Sequence, residues 1–393
     1  MPEPIADAEQ ALDRAAKLAP ALAAGASDRD RDRRLPYPEV AALSESGLLT
    51  ITVPERSGGP GLGAGVLSRV VAILAAADPS IAQIPQSHFV FLDALRRTGS
   101  EQLQAEVFGR VLDGARLANA QTERNSSTVR DDATRILRGP DGLVLSGTKF
   151  YCTGAVFADV LAVRAVGDDG RKVIAYVDAD APGISIENDW EGFGQRTTSS
   201  GTVTFDRTPV ERDRLVDFTA LLEAPGTYGA RAQLIHAAID TGIARGALDA
   251  AAGAVAGARP WFEAGVDRAV DDPLLLAQAG ETELAVRAAE SLLATAAERI
   301  DDTDAAADPD PAAIGEASLA TAAAKVAAGR AARQAASELF DFGGSRAAAE
   351  SSNLSRYWRD ARTHTLHDPE RWKLHHLGRW ALARHLPGGH GSL

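Results

Sequence analysis

Hydrophobic positions recur every three to four residues at both ends of this chain and alternate in its middle. Near the start, "DAEQALDRAAKLAPALAAGA" carries apolar residues at helical spacing. "LPYPEVAALSESGLL" predicts a short helix with a Pro-containing start and a Gly stop. The Gly- and Pro-rich "PERSGGPGLG" at 54–63 must be a loop. "AGVLSRVVAILAAADPS" restarts a helix that "DPS" ends, and "EQLQAEVFGRVLDG" makes another. Between about 116 and 217, "DGLVLSGTKFYCTGA", "VLAVRAV", "KVIAYVDA" and "SGTVTFDRTPV" have strand composition bounded by Gly, Asp and Pro. They predict a small antiparallel β unit. From about 228, helix returns in "AQLIHAAIDTGIARGALDAAAGAVAG", "PLLLAQAGETELAVRAAESLLATAAERID", "PAAIGEASLATAAAKVAAGRAARQAASELFDFGG" and the shorter "DPERWKLHHLGRWALARHL". Long Ala-rich amphipathic helices joined by short linkers predict a bundle. The expected organisation is α+β in three parts: a helical domain at 1–115, a β domain at 116–217 and a four-helix bundle at 218–393. This order does not by itself name a function.

Composition narrows the classes. The 393 residues are too many for one ordinary core. A net charge of −13, with no basic tract to offset it, argues against nucleic acid or an anionic membrane as partner. A single cysteine, Cys152, excludes an intrachain disulfide framework and a cysteine-rich zinc site. The acidic start "MPEPIADAEQ" has no apolar signal-peptide region, and the apolar run "VVAILAAA" at 70–77 is too short to span a bilayer. A cytoplasmic protein is expected.

The chemistry-bearing motifs are "AQTERNSS" at 120–127, "GTKFYCTGA" at 147–155, "FGQRTTSSGTVTFDRTPV" at 193–210, "GIARGAL" at 242–248 and "RYWRDARTHTLHDP" at 356–369. With them the chain resembles the acyl-CoA dehydrogenase superfamily over nearly its whole length. "TERNSS", "DWEGFGQRTTSSG", "AQLIHAAIDTGIARGALDAA", "ARPWFEAG" and "RTHTLHDP" are most similar to its branch of dibenzothiophene monooxygenases and related sulfur-acquisition oxidoreductases. The resemblance implies the superfamily's fold and a homotetramer. In the dehydrogenases a glutamate stands where this chain reads "TLHDP", and removes the α-proton of a thioester. Here His367 occupies that place. The branch resemblance therefore implies a two-component monooxygenase. It would take FMNH2 from a separate NAD(P)H:flavin reductase, form a flavin C4a-(hydro)peroxide with O2, and oxygenate an apolar organosulfur compound to sulfoxide and sulfone. Such a peroxide must be kept from water, and an imidazole with a near-neutral pKa suits the proton it needs.

The candidate residues follow from this. His367, Asn125 and His88 are assigned to oxygen transfer. The plain readings are a helix-flanking His, a turn-favouring Asn and a satisfied His on a mixed helix face. Tyr151 and Thr153 lie in the strand that the superfamily sets beside its flavin ring. Cys152, on the opposite face, is a core filler. Trp190 would wall the pocket, and Gln195, Thr197 and Ser199 would reach the flavin. Arg259 and Arg346 could each clamp the FMN phosphate, or simply be solvated. The Gly-Gly of "DFGGSRA" departs from the superfamily's usual form, which favours FMN over FAD. A metal site at His364, His367 and Asp368 lacks a further ligand, so none is expected. Rival readings are an FAD-dependent acyl-CoA dehydrogenase with a displaced base, an N- or C-hydroxylating enzyme of the same fold, and a catalytically silent flavin-fold protein.

Overall fold

The structure, a computed structural model, describes residues 2–124 and 131–387. Seven helices come first: α1 (Ala8–Ala24), α2 (Ala26–Asp32), α3 (Tyr37–Glu45), α4 (Ala64–Ala77), α5 (Pro79–Gln83), α6 (Gln86–Thr98) and α7 (Glu101–Leu112). The strands are β1 (Leu117–Ala120), β2 (Arg135–Gly139), β3 (Gly142–Cys152), β4 (Val160–Val166), β5 (Lys172–Asp178), β6 (Ile184–Glu187), β7 (Gly201–Val210) and β8 (Leu215–Asp217). The chain then returns to helix with α8 (Phe218–Glu223), α9 (Tyr228–Ala256), α10 (Pro273–Ala305), α11 (Pro311–Gly343), α12 (Ser355–His364) and α13 (Glu370–Ala383). No described helix is long and apolar enough to cross a membrane.

Asp-Pro pairs start several of these helices. Asp78, Asp272 and Asp310 each cap a helix N-terminus by accepting backbone N–H groups, and Pro79, Pro273 and Pro311 take the first helical position. Proline costs little there because its missing N–H would have no partner anyway. "DPS" therefore ends α4 and also starts α5. The Asp-Pro at 368–369 differs: Pro369 sits at the cap of α13, and the Asp368 carboxylate binds the Lys373 ammonium instead.

The sheet runs in the order β6-β7-β3-β2-β4-β5-β8, with β1 also on β4. It is mixed rather than antiparallel as expected, because β1 and β2 both pair parallel to β4. Leu117–Ala120 pair with Val160–Val163, and Arg135 pairs with Val166 further along the same flank. β1 and β2 thus follow one another along one flank of β4. Described residues on the two sides of 125–130 are tied together. Glu123 accepts the backbone N–H groups of Ala133 and Thr134 and the Nζ of Lys149, which has no exposed surface. Despite partial burial, these partners hold the Glu123 carboxyl down to about 2. Asp132 binds Lys149, Arg164 and Lys172.

One hydrophobic core runs from the first helical layer through α9 and α11, and a second fills one face of the sheet around Leu145, Val163 and Phe205. The first needs very close helix contact. A Cβ on Gly242 of α9 would lie 2.4 Å from the Ala72 carbonyl of α4, and one on Gly246 2.4 Å from that of Ala76. We expect Gly242→Ala to force α4 and α9 apart and destabilise the protein by about 1–3 kcal/mol, read in urea melts. Gly253→Ala, with open space at its Cβ, serves as the control and should leave the protein no less stable.

Candidate active site at the junction of bundle and sheet

Three parts of the chain converge where the 189–200 loop meets α12 and the α5–α6 corner. The loop is held from outside. Arg33 donates to the carbonyls of Trp190 and Gly192, Arg359 to that of Phe193, and Asp360 accepts the Gln195 N–H at 2.6 Å. Burial, with Asp30 nearby, pushes the Asp360 carboxyl up to about 7. Gly194 packs so tightly that a Cβ would lie 2.0 Å from the Arg359 carbonyl and 2.6 Å from Thr363 Oγ1. On the other side, the Gly154 N–H donates to Thr198 O at 3.1 Å, and a Cβ there would meet Ile84 at 3.1 Å.

Several expected flavin-holding residues meet here. Thr153 Oγ1 lies 2.7 Å from Ser200 Oγ, which lies 2.8 Å from Thr198 Oγ1. Thr197 is buried beside them. Gln195 Nε2 reaches toward Pro79 O at 3.5 Å. Trp190, half-buried at the rim, donates Nε1–H to Gln195 O at 2.9 Å, and Tyr151 meets it edge-on at 6.3 Å. Of the seven described non-glycine residues with positive φ, three are Tyr151, Gln195 and Ser199. Such strain persists only where surrounding contacts over-determine it, and it clusters at binding sites. Cys152 packs into the sheet core, where burial pushes its thiol up to about 12.

The buried atoms Ser199 Oγ, Thr363 Oγ1, Gln83 Oε1 and Ser87 Oγ find no hydrogen-bond partner among the described residues. Buried polar atoms are normally paired, so such a set suits a ligand rich in N–H and C=O groups. A flavin ring fits that description.

His367 lies on the turn between α12 and α13, with about half its side chain exposed. Its ring stacks on that of His236 in α9, centroids 3.9 Å apart. His236 Nδ1 is 3.1 Å from His364 Nε2, His364 Nδ1 is 2.5 Å from Asp240 Oδ1, and Lys325 Nζ donates to Asp240 Oδ2 at 2.6 Å. Burial, reinforced by the neighbouring His367, His364, Lys325 and Lys373, pushes the His236 pKa well below its usual value. Against burial, His364 and Lys325 hold the Asp240 carboxyl down. His367, Lys325 and Lys373 do the same for Asp368. Asp240, Lys325 and His236 were missed in the sequence. The available signal was the i,i+4 His-Asp pair in "HAAID", an unusual polar stripe on an apolar helix.

The remaining candidates fall elsewhere. His88 is buried between two backbone groups: Leu117 N–H donates to Nδ1 at 3.1 Å, so Nε2–H donates to Leu49 O at 2.8 Å. Neither ring nitrogen is left for a substrate, and the void it lines holds only about 10 Å³. Asn125 lies outside the described residues. Arg259 and Arg346 are exposed and sit beyond the C-terminal ends of α9 and α11, which touch at Ala254 and Gly343. His236 is 20 residues before Ala256, the end of α9, a rise of about 30 Å. The structure therefore does not bring either arginine to the imidazole cluster of its own chain. A groove of about 950 Å³ between α4, α9 and α10, lined by Arg69, Ala72, Gly242, Arg245 and Leu293, contains none of the candidates. Convergent polar chemistry, not volume, marks the site.

The three-part architecture is that of the acyl-CoA dehydrogenases. Sequence models of the acyl-CoA dehydrogenase N-terminal, middle and C-terminal domains match residues 6–115, 118–208 and 234–369. A Pseudomonas putida protein named "Probable FMNH2-dependent monooxygenase SfnC" is 33% identical over 379 residues, 95% of this chain and 94% of its own. The FMN-bound crystal structure of the dibenzothiophene monooxygenase TdsC from Paenibacillus sp. A11-2 superposes with a TM-score of 0.92 at 32% identity, covering 98% of this chain and all of that one. The methanesulfinate monooxygenase MsuC from Pseudomonas fluorescens gives 0.89 at 32% identity, covering 97% of this chain and 99% of its own. The chain belongs to the acyl-CoA dehydrogenase superfamily, within its branch of flavin-dependent monooxygenases.

The His88 clamp generates a pH prediction. Burial, with Arg116 adding to it, lowers its pKa to about 4. An unfolded His titrates near 6.5, so between the two values the unfolded state binds more protons and stability rises with pH. The contribution is complete above about 6.5 and is lost as pH falls toward 4. We expect His88→Gln to cost about 1–3 kcal/mol at pH 7.5. It should also remove close to one proton from the acid slope of urea-derived stability.

Proposed function

We propose that the protein is a two-component, FMNH2-dependent monooxygenase that oxygenates an apolar organosulfur compound at sulfur. The net change is reduced FMN, O2 and a thioether or thiophene to oxidised FMN, water and an S-oxide. A second round gives the sulfone. A separate NAD(P)H:flavin reductase supplies the reduced flavin, which on binding contributes the two electrons for dioxygen activation.

The observation that carries this reading is the state of the carboxylates around His367. A dehydrogenase needs a free carboxylate, or another base, aimed at an α-carbon. Here Asp240 is bound to Lys325 and His364, Asp368 to Lys373, and Glu370 to Arg330 and Arg333. The exposed titratable group there is the His367 imidazole, a side chain able to act as both acid and base.

Thr153, Gln195, Thr197 and Ser199 would hold the polar edge of the flavin ring, with Tyr151 and Trp190 against it. His367 would give and recover the proton of the oxygenation step, and Asn125 would hydrogen-bond the reacting edge. The tight packing around Gly194 and Gly154 would exclude water. Arg259 and Arg346 would meet a cofactor phosphate only across a subunit interface, in keeping with a homotetramer. A cytoplasmic location suits an enzyme fed by a diffusible reduced flavin.

The test supplies FMN, NADH, a flavin reductase and catalase with dibenzothiophene or a dialkyl sulfide under ¹⁸O2. We expect one labelled oxygen per S-oxide formed, and a drop of roughly 10² or more in His367→Ala and Asn125→Ala with FMN binding retained. Oxidation of an acyl-CoA ester without a reductase, and no labelled product, would overturn the reading.

A further inference from the structure

Four elements build one continuous polar chain through the bundle. Lys325 comes from α11, Asp240 and His236 from α9, His364 from the last turn of α12, and His367 from the turn that follows. All except His367 are buried. His236 and Asp240 stand four residues apart on α9, and so share the face turned toward α12.

Proton positions along this chain follow from its ends. Lys325 has donors only and Asp240, ionised, has acceptors only. His364 Nδ1, at 2.5 Å from Asp240, therefore carries a hydrogen. A neutral His364 then has its lone pair on Nε2, so the hydrogen in the 3.1 Å contact belongs to His236 Nδ1. A neutral His236 with its hydrogen on Nδ1 keeps a lone pair on Nε2. One carboxylate thus sets the tautomers of two imidazoles, the last of which stacks on His367.

Charge balance points the same way. The groups facing His236 are Asp240 on its own helix, Lys325 from α11, His364, His367 and Asp368 from α12 and its turn, and Lys373 from α13. Lys325 and Lys373 are paired with Asp240 and Asp368, and Glu370 beside them is paired with Arg330 and Arg333. An added proton is poorly placed on His236 or His364, which are buried near two ammonium groups. Half-exposed His367 instead has its Nδ1 3.5 Å from Asp368 Oδ1.

We infer that His236 is a positioning residue: the Lys325–Asp240–His364 chain locks it as the neutral Nδ1–H tautomer, and its stacked ring orients the His367 imidazole that handles the proton of the oxygenation step. This rests on the monooxygenase reading. The lock links a deeply buried carboxylate to the placement of the one exposed imidazole in the cluster.

The test compares three proteins in the coupled sulfur-oxygenation assay from pH 5.5 to 9. His236→Phe keeps an aromatic ring against His367 and removes both nitrogens. Asp240→Asn combined with Lys325→Met removes the carboxylate without stranding an ammonium. Both variants should bind FMN within about threefold of wild type by fluorescence quenching, since neither alters a flavin-holding residue. In both, the basic limb of the product-formation profile should move to lower pH by about one unit. The ratio of S-oxide to hydrogen peroxide should fall roughly tenfold. Unchanged limbs and unchanged coupling in both variants would overturn the inference and leave the monooxygenase reading standing. Absence of S-oxide with the wild-type protein would instead sink that reading. A measurement on wild type does not depend on the variants folding. Long-range ¹H–¹⁵N spectra of the histidine-labelled protein should show His236 neutral with its hydrogen on Nδ1 between pH 6 and 8. An Nε2–H tautomer would overturn the lock.

Discussion

A single carboxylate, Asp240, stands at the centre of the bundle with no exposed surface. An ion that deep costs several kcal/mol to desolvate unless it is paired and hydrogen-bonded on both oxygens. Lys325 takes one oxygen and His364 the other. The need to satisfy this group fixes α9, α11 and α12 relative to one another. That in turn sets where α12 ends, where the turn bearing His367 emerges, and which ring it stacks on. Removing either partner would strand a buried charge, so the arrangement behaves as one unit.

The opposite wall depends on close backbone contact rather than on charge. Gly194 admits the α12 carbonyl of Arg359, and Asp360 of the same helix accepts the Gln195 N–H. The 189–200 loop is therefore docked on α12, the helix that carries His364. Strained backbone at Gln195, Ser199 and Tyr151 is tolerated because these contacts fix it from outside. Bundle, loop and sheet strand form one rigid setting for a flat ligand, as preorganised catalysis requires.

Much of this was legible in the sequence, and the failures have physical causes. The three-part order, the long helices and the loop motifs could be read because periodicity and turn chemistry are local. The Lys325–Asp240 pair could not, since 85 residues separate its members and each alone reads as an ordinary helix-face charge. His88 looked like a pocket residue because sequence shows its helix but not the two backbone groups that use its nitrogens. Arg259 and Arg346 lie beyond the C-terminal ends of α9 and α11, away from the imidazole cluster of their own chain, a distance that no local motif reveals. The parallel pairing of β1 with β4 was hidden because a four-residue strand directly after a helix gives no sign of its direction. Tyr151, Thr153, Gln195, Thr197 and Ser199 were grouped through family motifs, and in the fold they share one corner with Trp190.

The proposed oxygenation needs a site that keeps reduced flavin from water while an imidazole handles its proton. The most direct measurement is stopped-flow mixing of the anaerobic FMNH2–protein complex with oxygenated buffer, followed by flavin absorbance. The account predicts biphasic reoxidation whose slow phase is roughly tenfold or more slower than free FMNH2, and which an oxidisable sulfur compound accelerates. Single-phase reoxidation at the rate of free FMNH2, indifferent to any sulfur compound, would contradict it.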